Sequence, residues 1–151
     1  ENNCPGFHIN AGLNDAWYNP ATTGQGVFIT VFPDLGLVSL AWFTYDTELP
    51  AQQAEASLGD PGHRWITALG PIDGNQAVMN IDITSGGLFD TQSDVKHTRP
   101  EGADGTITLT FENCSSAVLE YDIKSIGRQG SVALQRVADD NISLCMALSG
   151  E

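Results

Sequence analysis

Apolar and polar residues alternate along several short segments of this chain. Between Ala77 and Ile83, apolar side chains at positions 77, 79, 81 and 83 share one phase, with polar residues at 80 and 82 in the other. The same period of two recurs in Thr106–Phe111 and Ala117–Ile123. Successive side chains of a strand point to opposite faces, so this period predicts half-buried β-strands.

The clearest pattern is a predicted β-hairpin, in which Gly26–Phe32 and Leu37–Tyr45 flank a Pro-Asp-Leu-Gly turn. In its first strand, positions 27, 29 and 31 (Val, Ile, Val) share one face, and positions 28, 30 and 32 (Phe, Thr, Phe) share the other. Both faces are largely apolar. One face can therefore form the core while the other meets another element or another chain.

Further short segments complete the predicted fold. Strands are expected at 7–10, 63–70, 130–137 and 142–147, an ordered loop at 12–26, and one or two helical turns at 51–58. Glycine, asparagine, aspartate and proline separate the segments, as is typical of turns. The pattern predicts an all-β fold, a barrel-like antiparallel meander of about eight strands, with a two-sheet β-sandwich as the alternative. The whole of 1–151 is expected to form a single β domain.

The charge excludes some classes of partner. Six basic and nineteen acidic residues give a net charge of −13, which disfavours nucleic acid and anionic membranes. We interpret the acidity as a solvated surface, with cation binding as the alternative. No apolar run approaches the roughly 20 residues of a membrane span. The chain begins with Glu1-Asn2-Asn3 and no methionine, from which we expect a processed polypeptide that is secreted or displayed at the cell surface.

The three cysteines are spaced too widely for a Cys-x-x-Cys metal or redox motif. In an exported protein a disulfide is the natural interpretation, and Cys114–Cys145 is the preferred pair. It would close a loop of about 30 residues, which corresponds to roughly 3–4 kcal/mol in the chain-entropy model. Cys4 is then left over near one end, where it can form a bond to a neighbouring chain. The alternatives are an idle thiol or a pair that includes Cys4.

Several segments together resemble an uncharacterised group of secreted bacterial proteins, whose recurring features are Trp-x-x-Pro, Gly-x-Gly and Trp-x-Thr-Tyr-Asp. The segments that carry the resemblance are Gly-Leu-Asn-Asp-Ala-Trp-Tyr at 12–18, Gly-Gln-Gly at 24–26, Ala-Trp-Phe-Thr-Tyr-Asp at 41–46 and Gly-His-Arg-Trp at 62–65. The resemblance covers about Phe7 to Cys145 and implies export and a β-rich domain. It implies no activity, so no catalytic residue is transferred. The opening segment is also similar to avidin-like barrels, whose later strand spacing this chain does not follow closely.

Titratable residues offer two hydrolytic hypotheses. His63 can pair with Asp60 or Asp46 and activate a serine, although the sequence has no Gly-x-Ser-x-Gly motif. Alternatively, two carboxylates at strand ends can face each other across the barrel mouth, as in glycosidases, where one needs a raised pKa. The carboxylates concerned are Asp46, Asp82, Glu120 and Asp122. The simpler interpretations are a histidine that bonds a turn and charges that solubilise the surface.

Acidic residues in turns are candidate ligands of a calcium ion, which prefers oxygen. The main candidate is the run Asp139, Asp140 and Asn141, and further turn acids are Asp15, Asp34, Asp60 and Asp73. The sequence has no EF-hand spacing, and its three histidines lack the i, i+4 spacing of a helical zinc motif. Asp and Asn in turns usually bond their own backbone, so the prediction is no cofactor, with calcium as the alternative.

Aromatic side chains are the candidate ligand-binding residues, because they can stack on sugar rings or other flat molecules. They are Trp17, Tyr18, Trp42, Tyr45 and Trp65. The competing interpretation places them in the core of the barrel.

These observations favour a non-catalytic extracellular β-domain whose function is to contact other molecules. The first hypothesis is a structural or assembly subunit of a secreted or cell-surface polymer, based on the two-faced apolar strand and the third cysteine. Its partners would be further copies of itself or another extracellular protein. The second is a barrel that binds carbohydrates or small ligands through its tryptophans. The third is a hydrolase centred on His63.

Overall fold

The alternating segments close into a barrel in the computed structural model, which describes residues 6–51, 58, 62–97 and 103–149. The strands are β1 Asp15–Tyr18, β2 Gly26–Phe32, β3 Leu37–Tyr45, β4 His63–Asp73, β5 Gln76–Asp82, β6 Thr84–Ser85, β7 Lys96–His97, β8 Gly105–Phe111, β9 Ser116–Ile123 and β10 Arg128–Arg136. Cys4, Asp60 and most of the predicted helix at 51–58 lie outside the described residues.

Eight strands form a closed barrel in the order β1-β10-β9-β8-β5-β4-β3-β2, and β6 and β7 form a separate two-stranded sheet. Every neighbouring pair in the barrel is antiparallel. The prediction of a barrel-like antiparallel meander is therefore confirmed. In β2 the alternation is also as predicted, with positions 27, 29 and 31 buried and positions 28, 30 and 32 exposed.

The first predicted strand and the predicted loop after it are wrong. Residues 7–10 form no strand and make one backbone bond to the barrel, from the Ile9 N–H to the Gly74 carbonyl at 3.0 Å. The segment 12–26 contains the end of a 3-10 helix, Ala11–Leu13, and then β1. β1 closes the barrel, since Trp17 lies opposite Val27 of β2 and Arg136 of β10. A four-residue strand among turn formers is too short for its alternation to stand out.

The last predicted strand is also wrong, because Ile142–Leu148 is an α-helix, α1. Its half-buried Ile142 and buried Cys145 are three residues apart, which is a helical spacing. Short apolar runs do not distinguish a helix from a strand. Cys145 is bonded to Cys114, three residues after the end of β8, so the predicted disulfide is confirmed.

One end of the barrel, called here the closed end, is covered by the 3-10 helix Ala11–Leu13 and α1. The two helices lie against each other so closely that a Cβ at Gly12 would collide with the Cys145 backbone. Large side chains fill this half of the barrel interior. They include Leu13, Trp17, Met79, Leu109 and Phe111, all at 1 % exposure or less.

Arg136 connects several elements at the closed end and is 5 % exposed. Its guanidinium donates to the Asp15 carboxylate at 2.9 Å, to the Gly12 carbonyl at 2.8 Å and to the Cys114 carbonyl. It also lies over the Trp17 ring, 4.8 Å from the centroid, where a cation–π attraction operates. A buried charge of this kind persists because it is paired and each of its three nitrogens donates a hydrogen bond.

No helix in the described ranges has the length and apolar character needed to cross a bilayer.

Candidate ligand-binding site at the open end of the barrel

The opposite end of the barrel, called here the open end, contains a cavity of about 880 Å³. Its volume falls within the range of about 300–1,000 Å³ typical of small-molecule sites. The inner wall is mainly apolar and comes from inward-facing positions of β3, β4, β9 and β10 and from the residue after β5. These wall residues are Trp42, Ile66, Ile83, Tyr121, Ile123 and Val132.

The short first strand explains why this end is hollow. β1 pairs with β10 at Trp17 and Tyr18 and then ends, whereas β10 continues along β9 as far as Arg128. Beside that part of β10, the cavity is lined by Thr22 and Gln25 from the loop between β1 and β2. Polar loop residues fill less of the interior than a strand with apolar side chains would, so space remains.

Two aromatic side chains meet inside the barrel. Trp42 is on β3 and Tyr121 is on β9, which the strand order places on opposite walls. Their ring centroids are 5.4 Å apart with an interplanar angle of 56°, so the pair spans the interior. Gly130 lies opposite Tyr121 in the sheet, and a Cβ there would collide with the phenol. The glycine therefore gives Tyr121 the room to lie across β10.

The polar lining is concentrated at the rim, where both signs of charge are present. Arg64 donates to the Asp46 carboxylate at 2.7 Å and to the His63 carbonyl at 2.7 Å. Arg128 and Glu48 also line the cavity. The site thus combines an apolar interior with ionisable groups at its entrance, which suits a ligand that has both characters.

The structure brings three of the predicted aromatic residues to this cavity: Trp42, Tyr45 and Trp65. Trp17 is instead in the core of the closed half, 5.4 Å from the Phe111 ring, and its indole N–H donates to the Leu13 carbonyl at 3.1 Å. Tyr18 is half-buried at the end of β1 and is not among the lining residues.

Trp65 also belongs to an aromatic patch on the outside of the barrel, formed with Phe28 and Phe43. Phe43 is paired with Trp65 across β3 and β4, and its ring centroid is 5.3 Å from that of Phe28. Phe28 and Trp65 are 55 % and 57 % exposed. This is the apolar second face that the β2 pattern predicts.

His63 does not form the pair with Asp46 that a hydrolase would need. It lies at the rim, but the Asp46 carboxylate is bound by Arg64. Asp60, the other proposed partner, lies outside the described residues.

Two of the predicted carboxylates at strand ends lie beside a basic group. Asp82 is 3.0 Å from the His97 ring, and Asp122 accepts a bond from Lys124 at 3.0 Å. Glu120 is exposed, opposite Ser131 and Thr108 in the sheet. The bond from Lys124 lowers the pKa of Asp122, an effect that burial opposes and Gln129 reinforces. A general acid of a glycosidase requires the reverse direction.

The candidate calcium run Asp139, Asp140 and Asn141 lies just before α1, at the closed end. The Asn141 amide donates to the Asn14 carbonyl at 3.0 Å, which ties this turn to the residue before β1. Within the described part of the chain, no group of three or more His, Cys, Asp or Glu residues is arranged to hold a metal ion.

Sequence reasoning missed Arg64, Arg128 and Val132 as lining residues. The alternation along β10 indicates two of them, because Arg128 and Val132 are in phase with the buried Leu134 and therefore face the interior. A cation in the apolar phase of a strand, near its end, indicates a charge that points into a barrel mouth.

No protein-family model, no curated protein and no solved structure matches this chain. The fold and the cavity therefore define the class on their own: an antiparallel eight-stranded β-barrel with one filled end and one hollow end.

Proposed function

We propose that this protein is a β-barrel that binds a small ligand in the cavity at its open end. The observation that carries the proposal is the cavity of about 880 Å³, whose walls are apolar and whose interior is spanned by Trp42 and Tyr121. Aromatic faces in a water-excluding pocket bind apolar or flat ligands well, because they bury a large area at little cost in side-chain entropy. Binding, rather than catalysis, also accords with the basic partners of Asp46, Asp82 and Asp122.

We place this function outside the cytoplasm. The support is the Cys114–Cys145 disulfide, since such bonds persist in oxidising compartments and are rare in the cytosol.

The test uses a neutral apolar dye, N-phenyl-1-naphthylamine, whose fluorescence rises in an apolar site. We expect saturable binding to the wild type and energy transfer from Trp42. Val132→Trp places a large side chain at an inward position of β10 and is expected to abolish binding. Ala133→Trp is the matched control, because the neighbouring residue is exposed and in the opposite phase of the strand. It should bind the dye like the wild type.

Two results would contradict the proposal. One is the absence of saturable dye binding to the folded wild type. The other is equal binding by Val132→Trp and Ala133→Trp once circular dichroism shows both to be folded. A panel of neutral sugars, followed through tryptophan fluorescence, distinguishes carbohydrate ligands from apolar ones.

Self-association is a second candidate function, favoured by the outer aromatic patch of Phe28, Phe43 and Trp65. Outward positions of β2, β3 and β4 near the patch carry Phe, Thr, Ala, Trp and Leu, although the whole chain has a net charge of −13. Two copies that meet at this face therefore bring together a part of the described surface that has no charged residues. Such contact would suit a subunit of a polymer.

Sedimentation velocity over a wide concentration range tests this candidate. We expect Phe28→Ser with Trp65→Ser to abolish association, and Val137→Ser, an exposed apolar residue elsewhere, to leave it unchanged. A wild type that stays monomeric at high concentration would remove the candidate.

A further inference from the structure

Arg128 has a position that sets it apart from the other basic residues. It is the first residue of β10, in the same phase as Val132 and the buried Leu134, and it lines the cavity. The strand alternation thus directs its side chain towards the mouth rather than towards the outer surface.

Arg128 has no carboxylate partner in the part of the chain that the structure describes. Among the residues that the structure describes, Arg64, His97, Lys124 and Arg136 each lie within ion-pair distance of a carboxylate. Lys96 and Arg128 have no such partner, and of these two Arg128 lines the cavity. Two acids share the lining: Asp46 is bound by Arg64, and Glu48 belongs to the segment after β3, across the barrel from β10.

The basic residues are also distributed unevenly. Of six in the chain, Arg136 is buried at the closed end, and Arg99 lies outside the described residues. The remaining four are at or beside the open end: Arg64, Lys96, Lys124 and Arg128. Two of these cations, Arg64 and Lys124, are paired with Asp46 and Asp122 at the same end.

We propose that the ligand is an apolar molecule with a single carboxylate, whose carboxylate is bound by Arg128 while its apolar part occupies the cavity. The inference rests on the proposed function and specifies its ligand. One guanidinium matches one carboxylate in charge and can bind both oxygens with parallel N–H bonds. The aliphatic wall residues Ile66, Ile83, Ile123 and Val132 suit a hydrocarbon chain, because burying apolar surface against them is favourable.

The experiment measures displacement of N-phenyl-1-naphthylamine by dodecanoate and by dodecanol, at pH 8 and at concentrations where both are monomeric. The two probes have the same chain and differ in the charge of the head group. We expect dodecanoate to bind the wild type about tenfold more tightly than dodecanol, the usual size of a charge-assisted hydrogen-bond effect.

Arg128→Gln should remove this preference by weakening dodecanoate binding about tenfold more than dodecanol binding, while Arg128→Lys should retain part of it. Lys124→Gln is the control, because it removes a nearby exposed cation that does not line the cavity.

Equal affinities of the two probes for the wild type would overturn the inference. A preference that falls equally in Arg128→Gln and Lys124→Gln would overturn it as well. In both cases dye and dodecanol would still bind, so the proposed function would stand; failure of the dye to bind would remove both.

Discussion

Replacing Arg136 by methionine tests how far the barrel depends on its closed end. Methionine retains an unbranched apolar stem and removes the guanidinium. The change leaves the Asp15 carboxylate without its cation, and the carbonyls of Gly12 and Cys114 without their side-chain donors. All these groups lie where Arg136 itself is 5 % exposed, so water replaces the lost bonds poorly.

The expected loss of stability follows from these contacts. Removing one partner of a buried ion pair costs about 3–5 kcal/mol, because the other charge stays buried and unpaired. Asp15 retains the bond that it accepts from the Ala16 N–H at 2.9 Å, and its side chain is 13 % exposed. Both facts point to the lower part of that range, about 3 kcal/mol. At about 2–4 °C per kcal/mol for a chain of this size, the melting temperature should fall by about 6–12 °C.

Urea denaturation followed by circular dichroism, without reductant, measures this loss while the disulfide stays intact. Lys124→Met is the control, since the Lys124–Asp122 pair is exposed and surface ion pairs contribute little to stability. A loss below about 1 kcal/mol in Arg136→Met, similar to the control, would show that the buried pair is not what stabilises the closed end.

Three further predictions concern other parts of the molecule. Replacing Cys114 and Cys145 together by alanine should lower the free energy of unfolding by about 3–4 kcal/mol, since the disulfide joins residues 31 apart; urea midpoints measure it. Gly12→Ala should cost about 1–3 kcal/mol or more in the same assay, because the new methyl group collides with the α1 backbone. The pKa of Asp122, measured by NMR titration, should lie below its ordinary value of 3.8 and should rise in Lys124→Met.

The sign of the last effect is fixed by linkage. A carboxylate whose pKa is depressed in the folded state stabilises the fold above its unfolded pKa, and this contribution is lost as the pH falls through the folded pKa. Lys124→Met should therefore lose less stability on acidification than the wild type does. An unchanged Asp122 pKa in that variant would contradict the assignment to Lys124.

For Gly12→Ala the control is Gly87→Ala, where the nearest atom is 3.4 Å from the added Cβ.

The fold was predictable from sequence wherever a strand is long enough to show its period. β5, β8 and β9 alternate over seven residues or more, and their inward positions are buried as the pattern requires, apart from the half-buried Tyr121 of β9. β1 and α1 were not predictable in this way, because each is short and is determined by distant partners. β1 forms between β2 and β10, and α1 is attached to the β8–β9 loop by the disulfide.

The candidate site was predictable only in part, for a related reason. Aromatic character marks Trp42, Tyr45 and Trp65, and all three line the cavity. Aromatic character marks Trp17 equally, yet its place in the strand register puts it in the filled half. Which end of the barrel is hollow depends on where β1 stops relative to β10, and no local pattern encodes that difference.

The two ends of the barrel are packed differently although the same strands form both. At the open end, the residues of the cavity wall lack the dispersion contacts that they would make in a filled core. A hollow end therefore remains stable only if another part of the molecule compensates. Here the filled half compensates through the tightly packed Trp17 and Phe111, the Arg136 network and the disulfide. Because the strands run from one end to the other, order imposed at the closed end also fixes their spacing at the open end, and the cavity can exist before a ligand arrives.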